Sequence, residues 1–142
     1  MKYFFTLILS VCTVLASESD AIRVEILEKI FGGLSLKEEI IVWSDNEDIL
    51  KYFTQKEHYK TVEYCIDANF IVLEFTSQMS VECLKKNIFV LNYNLLKELP
   101  QSFGALFWKK GRPNIILVEP RIKSSKIKVS QDLEPYMEAQ IW

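Results

Sequence analysis

Few residues in this sequence belong to the types that perform acid–base, nucleophilic or metal chemistry. The 142-residue chain has three cysteines and one histidine. Cys65, Cys83 and His58 match in type a thiol nucleophile and its base, but their spacing is not diagnostic of such a site. A structural zinc ion needs about four protein ligands, and Cys65, Cys83 and His58 supply only three. His58 lies in the polar segment QKEHYK, and this setting predicts a solvent-exposed side chain.

Sequence motifs that support catalysis by a known physical mechanism are also missing. The chain contains no phosphate-binding glycine loop, no GxSxG nucleophile elbow and no HExxH helix. Its carboxylates, such as Asp67 and Glu74, follow no spacing that indicates a paired acid and base. We therefore expect a protein that is not an enzyme, with no catalytic residues, no metal and no cofactor.

Positive charge is concentrated late in a chain whose net charge is -2. Residues 109–128 include a single acid, Glu119, and seven basic residues: Lys109, Lys110, Arg112, Arg121, Lys123, Lys126 and Lys128. Such an asymmetry can steer an acidic partner or an anionic lipid headgroup; the alternative is a lysine-rich turn that protects a sheet edge. Because aromatic and Arg residues anchor protein contacts, Trp108, Lys109, Lys110 and Arg112 are the predicted interaction surface. The acidic balance of the whole chain does not favour nucleic acid as a partner.

The first 16 residues have the composition of a secretory signal peptide. Lys2 precedes an uncharged run from Tyr3 to Ala16, and Val14 and Ala16 suit cleavage before Ser17. As a helix the run spans about 21 Å, which is short against the ~30 Å hydrocarbon core. The alternatives are an uncleaved anchor and a lipoprotein signal at Cys12. We expect a cleavable signal peptide at 1–16, a single domain at 17–142 and a periplasmic location.

Export gives the two remaining cysteines a particular meaning. In an oxidising compartment an even number of cysteines favours a disulfide, here between Cys65 and Cys83. The alternative is two separate buried thiols, because free cysteine is among the most buried residues.

The elements that would position these residues alternate along the chain. Apolar residues recur at helical spacing from Ile22 to Leu34, with Arg23 on the opposite face, and Gly32 and Gly33 end that helix. The runs IIVW and IFVL are apolar throughout, which is typical of strands covered on both faces, and Gly111 predicts a hairpin turn. Strands are predicted at 40–43, 61–65, 69–75, 88–91, 105–108 and 114–118, and helices after 44–46, at 80–84, 94–99 and 122–127, and from 130. The expected fold is a single small α/β domain whose mixed, mostly parallel sheet has helices on both faces and a C-terminal β-hairpin, in Rossmann-like or flavodoxin-like layering.

The order of these elements resembles the YfiR-like periplasmic family. AIRVEILEKI is similar to the first helix of that family, EEIIVW to its first strand and CIDANFIVLEF to the strand that follows a cysteine. SFGALFWKKGRPNIILV is similar to its hairpin, and RIKSSKIKVSQDLEPYM to its C-terminal segment. Members of the family restrain a membrane-bound diguanylate cyclase by protein contact, and disulfides control their stability.

The resemblance implies an exported, non-enzymatic regulatory protein whose partner is a membrane-bound signalling protein, contacted through its periplasmic sensor domain. A small-ligand binding module related to periplasmic transporter binding proteins is the alternative function. An enzyme is a third hypothesis, and it would need a polar cleft that brings His58 close to Cys65 or Cys83.

Overall fold

The apolar strands assemble into one mixed sheet in the computed structural model of the chain, which describes residues 19–35, 39–125 and 127–141. The predicted signal peptide at 1–16 lies outside the described residues. Within them, no helix combines the length and the apolar character that crossing a membrane requires.

The strands and helices are short and follow one another closely. The described strands are β1 Leu34–Ser35, β2 Ile41–Ser44, β3 Lys60–Thr61, β4 Phe70–Leu73, β5 Asn87–Val90, β6 Ser102–Lys109, β7 Arg112–Val118, β8 Lys128–Val129 and β9 Met137–Glu138. Helix α1 includes residues 19–32, and the other α-helices are α2 Glu47–Thr54, α3 Val81–Leu84, α4 Tyr93–Glu98 and α5 Glu119–Lys123. Two 3-10 helices lie at Cys65–Asp67 and Gln131–Tyr136.

Seven of these strands form the main sheet, in the order β3-β2-β4-β5-β6-β7-β9. Strands β3, β2, β4, β5 and β6 are parallel neighbours, β7 is antiparallel to β6, and β9 is parallel to β7. If the five parallel strands are numbered along the chain, their spatial order is 2-1-3-4-5, the flavodoxin-like arrangement. The α/β fold class predicted from the sequence is therefore confirmed. The strand order reverses between β2 and β4.

Both faces of the sheet are covered, as the uninterrupted apolar strands predict. Along β4, Phe70 and Val72 pack in the core beneath α1 and α2, whereas Ile71 and Leu73 pack with α3 and α4 on the other face. The α1 side is rich in aromatic rings, whose centroids lie 4.6 to 6.4 Å apart: Phe31, Phe53, Tyr59, Phe70, Phe89 and Phe103.

The structure corrects three predicted elements. The predicted strand at 61–65 is only Lys60–Thr61, because the chain turns into a 3-10 helix at Cys65. The predicted helix at 122–127 is α5, which begins earlier at Glu119 with Pro120 in its first turn. The predicted C-terminal helix is a 3-10 helix that contains Pro135 and leads directly into β9. In α1, Ile22 is 48% exposed and does not join the core, which takes Val24 and Phe31 instead.

Candidate functional site

A two-residue turn joins β6 to β7. Lys110 and Gly111 both have positive φ, 53° and 75°, the pattern of the turn whose twist suits a two-residue hairpin. A hairpin turn at Gly111 was predicted from the sequence. The strands, however, continue to Lys109 and Arg112, which pair directly, so the turn is tighter than the predicted 109–113 segment. Lys110 occupies a backbone region that costs a non-glycine residue about 1 kcal/mol.

The four residues of the predicted interaction surface lie together at the end of this hairpin. Trp108 is 43% exposed and pairs with Pro113 across the two strands. Lys109, Lys110 and Arg112, here called the basic tip, are exposed. Within the described parts of the chain, the basic tip has no ion pair. An exposed indole beside three unpaired cations is therefore the geometry that this hairpin offers to solvent.

The other cations of the basic stretch have different roles. Arg121 is half-buried, and its Nη1 donates to the backbone carbonyls of Leu96 and Ser102 at 2.9 Å and of Leu99 at 3.3 Å. Its burial lowers the pKa of the guanidinium below its ordinary value. Lys123 forms an ion pair with Glu119 at 2.8 Å. The cations of the basic stretch therefore do not act as one continuous surface, and three of them, the basic tip, are exposed together at the end of the hairpin.

A cleft of about 550 Å³ lies along the hairpin, between α1, β7 and the 3-10 helix Gln131–Tyr136. Its apolar lining residues are Ile26, Ile30, Pro113, Ile115, Leu133 and Tyr136, and its charged ones are Lys29 and Asp132. Since Trp108 is the cross-strand partner of Pro113, the cleft and the hairpin tip adjoin. This size and this mostly apolar lining are usual for small-molecule sites.

Cys65 and Cys83 lie at disulfide distance. Their Cα atoms are 5.8 Å apart, within the range that a disulfide requires. Cys65 precedes β4 and Cys83 precedes β5, and these strands are parallel neighbours. The two cysteines that were predicted to pair therefore lie together at one end of the sheet.

A polar network at the carboxyl end of the sheet was missed in the sequence. Asp45 follows β2, and its carboxylate accepts backbone N–H groups of Glu74 and Phe75 at 2.8 Å and of Thr76 at 3.0 Å. These bonds join the ends of β2 and β4 where the strand order reverses, the place at which doubly wound sheets commonly bind ligands. The only signal of this network in the sequence is an acidic residue directly after each of these two strands, Asp45 after β2 and Glu74 after β4.

Arg23 completes this network from α1. Its guanidinium pairs with Glu74 at 2.7 Å and with Asp20 at 2.5 Å. Burial lowers the pKa of Arg23, but the hydrogen bonds and negative charges of Glu74 and Asp20 together raise it above its ordinary value. Asn46, the N-cap of α2, donates to the other oxygen of Glu74. These groups at the switch point are therefore bonded to one another.

The sequence also led to predictions about His58 and about metal ions. His58 is exposed in a turn after α2, as predicted. No cluster of three or more His, Cys, Asp or Glu side chains suited to a metal occurs in the described ranges. No protein-family model, curated protein or solved structure matches this chain.

Proposed function

We propose that this chain is an exported regulatory protein that acts by direct contact with the periplasmic domain of a membrane-bound signalling protein, such as a diguanylate cyclase. The observation that carries this proposal is the hairpin tip, where a 43% exposed Trp108 adjoins the basic tip. Trp and Arg are over-represented among the residues that dominate binding energy at protein contacts.

The hairpin presents these residues with little loss of freedom on binding. Its strands pair continuously from Gly104 with Leu117 to Lys109 with Arg112, so the backbone at the tip is already ordered. Pre-ordering reduces the conformational entropy lost on association. The basic tip would speed encounter with an acidic surface, and Trp108 would slow dissociation once it is buried.

Two further observations support export and regulation. Residues 1–16 are predicted from their composition to be a secretory signal peptide, and the distance between Cys65 and Cys83 suits a disulfide, a bond typical of exported proteins. The resemblance to the YfiR-like family supplies the class of partner, a membrane-bound signalling protein.

Site-specific photo-cross-linking in the source cell tests the proposal. A photoreactive amino acid at Trp108 is expected to capture one membrane protein with a signalling domain. The matched control places it at Tyr64, which is 65% exposed on a different element. Equal capture from both positions, or capture of no membrane protein at Trp108, would contradict the proposal. N-terminal sequencing of the exported chain is expected to begin at Ser17.

The cleft favours a second candidate function, a small-ligand binding module. Its volume of about 550 Å³ and its pair of opposite charges, Lys29 and Asp132, suit an amphipathic ligand. The variant Ile115→Trp separates the two functions because it fills the cleft and leaves the hairpin tip intact. If the protein acts by contact through the tip, this variant captures the same membrane protein; if it is a ligand module, it loses function.

A further inference from the structure

A second cavity, of about 230 Å³, lies at the opposite end of the sheet from the switch point. It opens where α3 leads into β5 and α4 leads into β6. Three cations line it, Lys85, Lys86 and Arg121, together with polar side chains that include Asn87, Gln101 and Ser124. Not one carboxylate occurs among its described lining residues. The cavity therefore has a local excess of positive charge in a chain that is acidic overall.

The Arg121 side chain is held in place by a single nitrogen of its guanidinium. Nη1 donates to the carbonyls of Leu96, Leu99 and Ser102, which fixes the side chain at the cavity. No hydrogen bond or ion pair from the described residues engages Nε or Nη2. A guanidinium fixed in this way keeps two donor nitrogens, Nε and Nη2, available, and the planar fork of Arg matches the oxygens of a phosphate.

The side chains of Lys85 and Lys86 are not needed to satisfy the backbone carbonyls at the end of α3. The carbonyls of Glu82 and Cys83 at this end accept backbone N–H groups of Lys85 and Lys86 at 3.3 and 3.1 Å. The side chains of Lys85 and Lys86 form no ion pair within the described ranges. Helix α3 has only four residues, so its dipole does not account for two full positive charges.

We propose that this cavity binds a phosphate group, either free or as a phosphomonoester headgroup. Three cations without a facing acid match a phosphate, whose charge at pH 7 is about -1.5 to -2, better than a carboxylate of charge -1. The cavity is large enough, since one water molecule takes about 30 Å³ of liquid volume. A bound anion would also offset the unfavourable burial of the Arg121 cation.

The proposal is tested by titrating the purified chain with inorganic phosphate. Calorimetry and the shifts of amide signals in NMR spectra measure the binding. We expect saturable binding, with shifts at residues 85–87, 101 and 121–125, and much weaker binding of acetate. The double variant Lys85→Ala/Lys86→Ala is expected to bind phosphate at least about tenfold more weakly, since hydrogen bonds to charged groups are the stronger class. This variant leaves the structural bonds of Arg121 in place.

Matched controls separate the cavity from general surface charge. Lys51→Ala/Lys60→Ala removes two exposed lysines on α2 and β3, and neutralising the basic tip removes charge from the hairpin; both are expected to bind phosphate like the native chain. Sedimentation with phosphatidylcholine vesicles, with and without phosphatidic acid, distinguishes a lipid headgroup from free phosphate. Absence of saturable binding to both phosphate and phosphatidic acid vesicles overturns the proposal. An equal loss of binding in the control variants also overturns it.

Discussion

Arg23 on α1 and Glu74 after β4 form an ion pair of 2.7 Å although 51 positions separate them in the sequence. Their side chains are only 17% and 19% exposed, so water screens the pair little. Through this pair, α1 is held against the carboxyl end of the sheet, and Asp45 holds the backbone of the same β4 end.

Replacing Glu74 by Gln is expected to lower the free energy of unfolding by about 2 kcal/mol. The change keeps the side-chain shape but removes one of the two negative charges that balance Arg23, and the remaining partner, Asp20, compensates only part of the loss. Urea unfolding measures the effect. The control Glu82→Gln alters an exposed carboxylate and is expected to stay within about 0.5 kcal/mol of the native chain. Equal stabilities of the two variants would contradict the role given to the pair.

The pair Cys65–Cys83 is expected to stabilise the fold by about 3 kcal/mol, because a link across 18 positions restricts the unfolded chain. The double variant Cys65→Ala/Cys83→Ala should therefore unfold at lower urea concentration. A reducing agent should shift the native chain in the same direction and leave the variant unaffected. Two thiols that can be alkylated in the protein isolated from cells without reducing agent would show that the bond does not form.

Two glycines are expected to respond to alanine in opposite directions. A Cβ at Gly104 would lie 2.6 Å from the carbonyl oxygen of Ile116 and 3.0 Å from the ring of Phe89, so Gly104→Ala forces β6 and β7 apart and costs about 1–3 kcal/mol. A Cβ at Gly32 has no atom within 4 Å. Since Gly32 lies in α1, Gly32→Ala is expected to stabilise by up to about 1 kcal/mol. Thermal unfolding of both variants checks this prediction, and destabilisation by Gly32→Ala would refute it.

Tyr59 is expected to make stability fall in alkaline solution. Burial, and then the negative charge of Glu28, raise the pKa of Tyr59 above its ordinary value of 10.0. The folded state therefore holds the phenol proton more tightly. The resulting stabilisation is complete below about pH 10 and is lost as the pH rises through the higher folded-state pKa.

Urea unfolding at pH 8 and at pH 11 measures this loss. Tyr59→Phe is expected to reduce it, whereas Tyr136→Phe, at an exposed position, should lose as much stability as the native chain. Identical pH dependence in the native chain and Tyr59→Phe would contradict the assignment.

Neutralising the basic tip by Lys109→Ala, Lys110→Ala and Arg112→Ala is expected to leave thermal stability nearly unchanged, because exposed charges contribute roughly 0–1 kcal/mol. Association with the membrane protein captured at Trp108 should slow, most clearly at low salt, since the Debye length is about 10 Å at 0.1 M. Trp108→Ala should instead raise the dissociation rate. Binding kinetics at two salt concentrations decide the matter. Unchanged association and dissociation rates in both variants would show that the hairpin tip is only a lysine-rich turn that protects a sheet edge.

The sequence predicted the layered fold because that information is local. Uninterrupted apolar runs such as Ile88 to Leu91 require two covered faces, and glycine at 111 requires a turn. The proximity of Cys65 and Cys83 follows from this layering, since they precede β4 and β5, which are parallel neighbours.

The switch-point network and the phosphate cavity were not predictable in this way, because their members come from distant segments. Arg23 was assigned to the solvent face of α1 on helical periodicity alone, and only the packing of α1 on the sheet brings it to Glu74. Arg121 was counted with the surface cations, although its bonds to α4 carbonyls hold it half-buried. Strand β9 was also missed, because it has only two residues, Met137 and Glu138, and so short a segment shows no periodicity that indicates a strand.

Because β1 pairs with β8, folding cannot be completed until residues near the carboxyl end of the sequence are available. Leu34 lies opposite Val129, and the N–H of Ser130 donates to the carbonyl of Gly33 at 2.9 Å, so the end of α1 is fixed by residues near the other end of the chain. A chain that emerges from a ribosome or a translocation channel with its amino end first must deliver nearly all of its residues before this contact closes. The contacts that fix the carboxyl end of α1 at Gly33 are therefore among the last that the chain can form, whereas the Arg23–Glu74 pair needs only the residues up to Glu74, directly after β4.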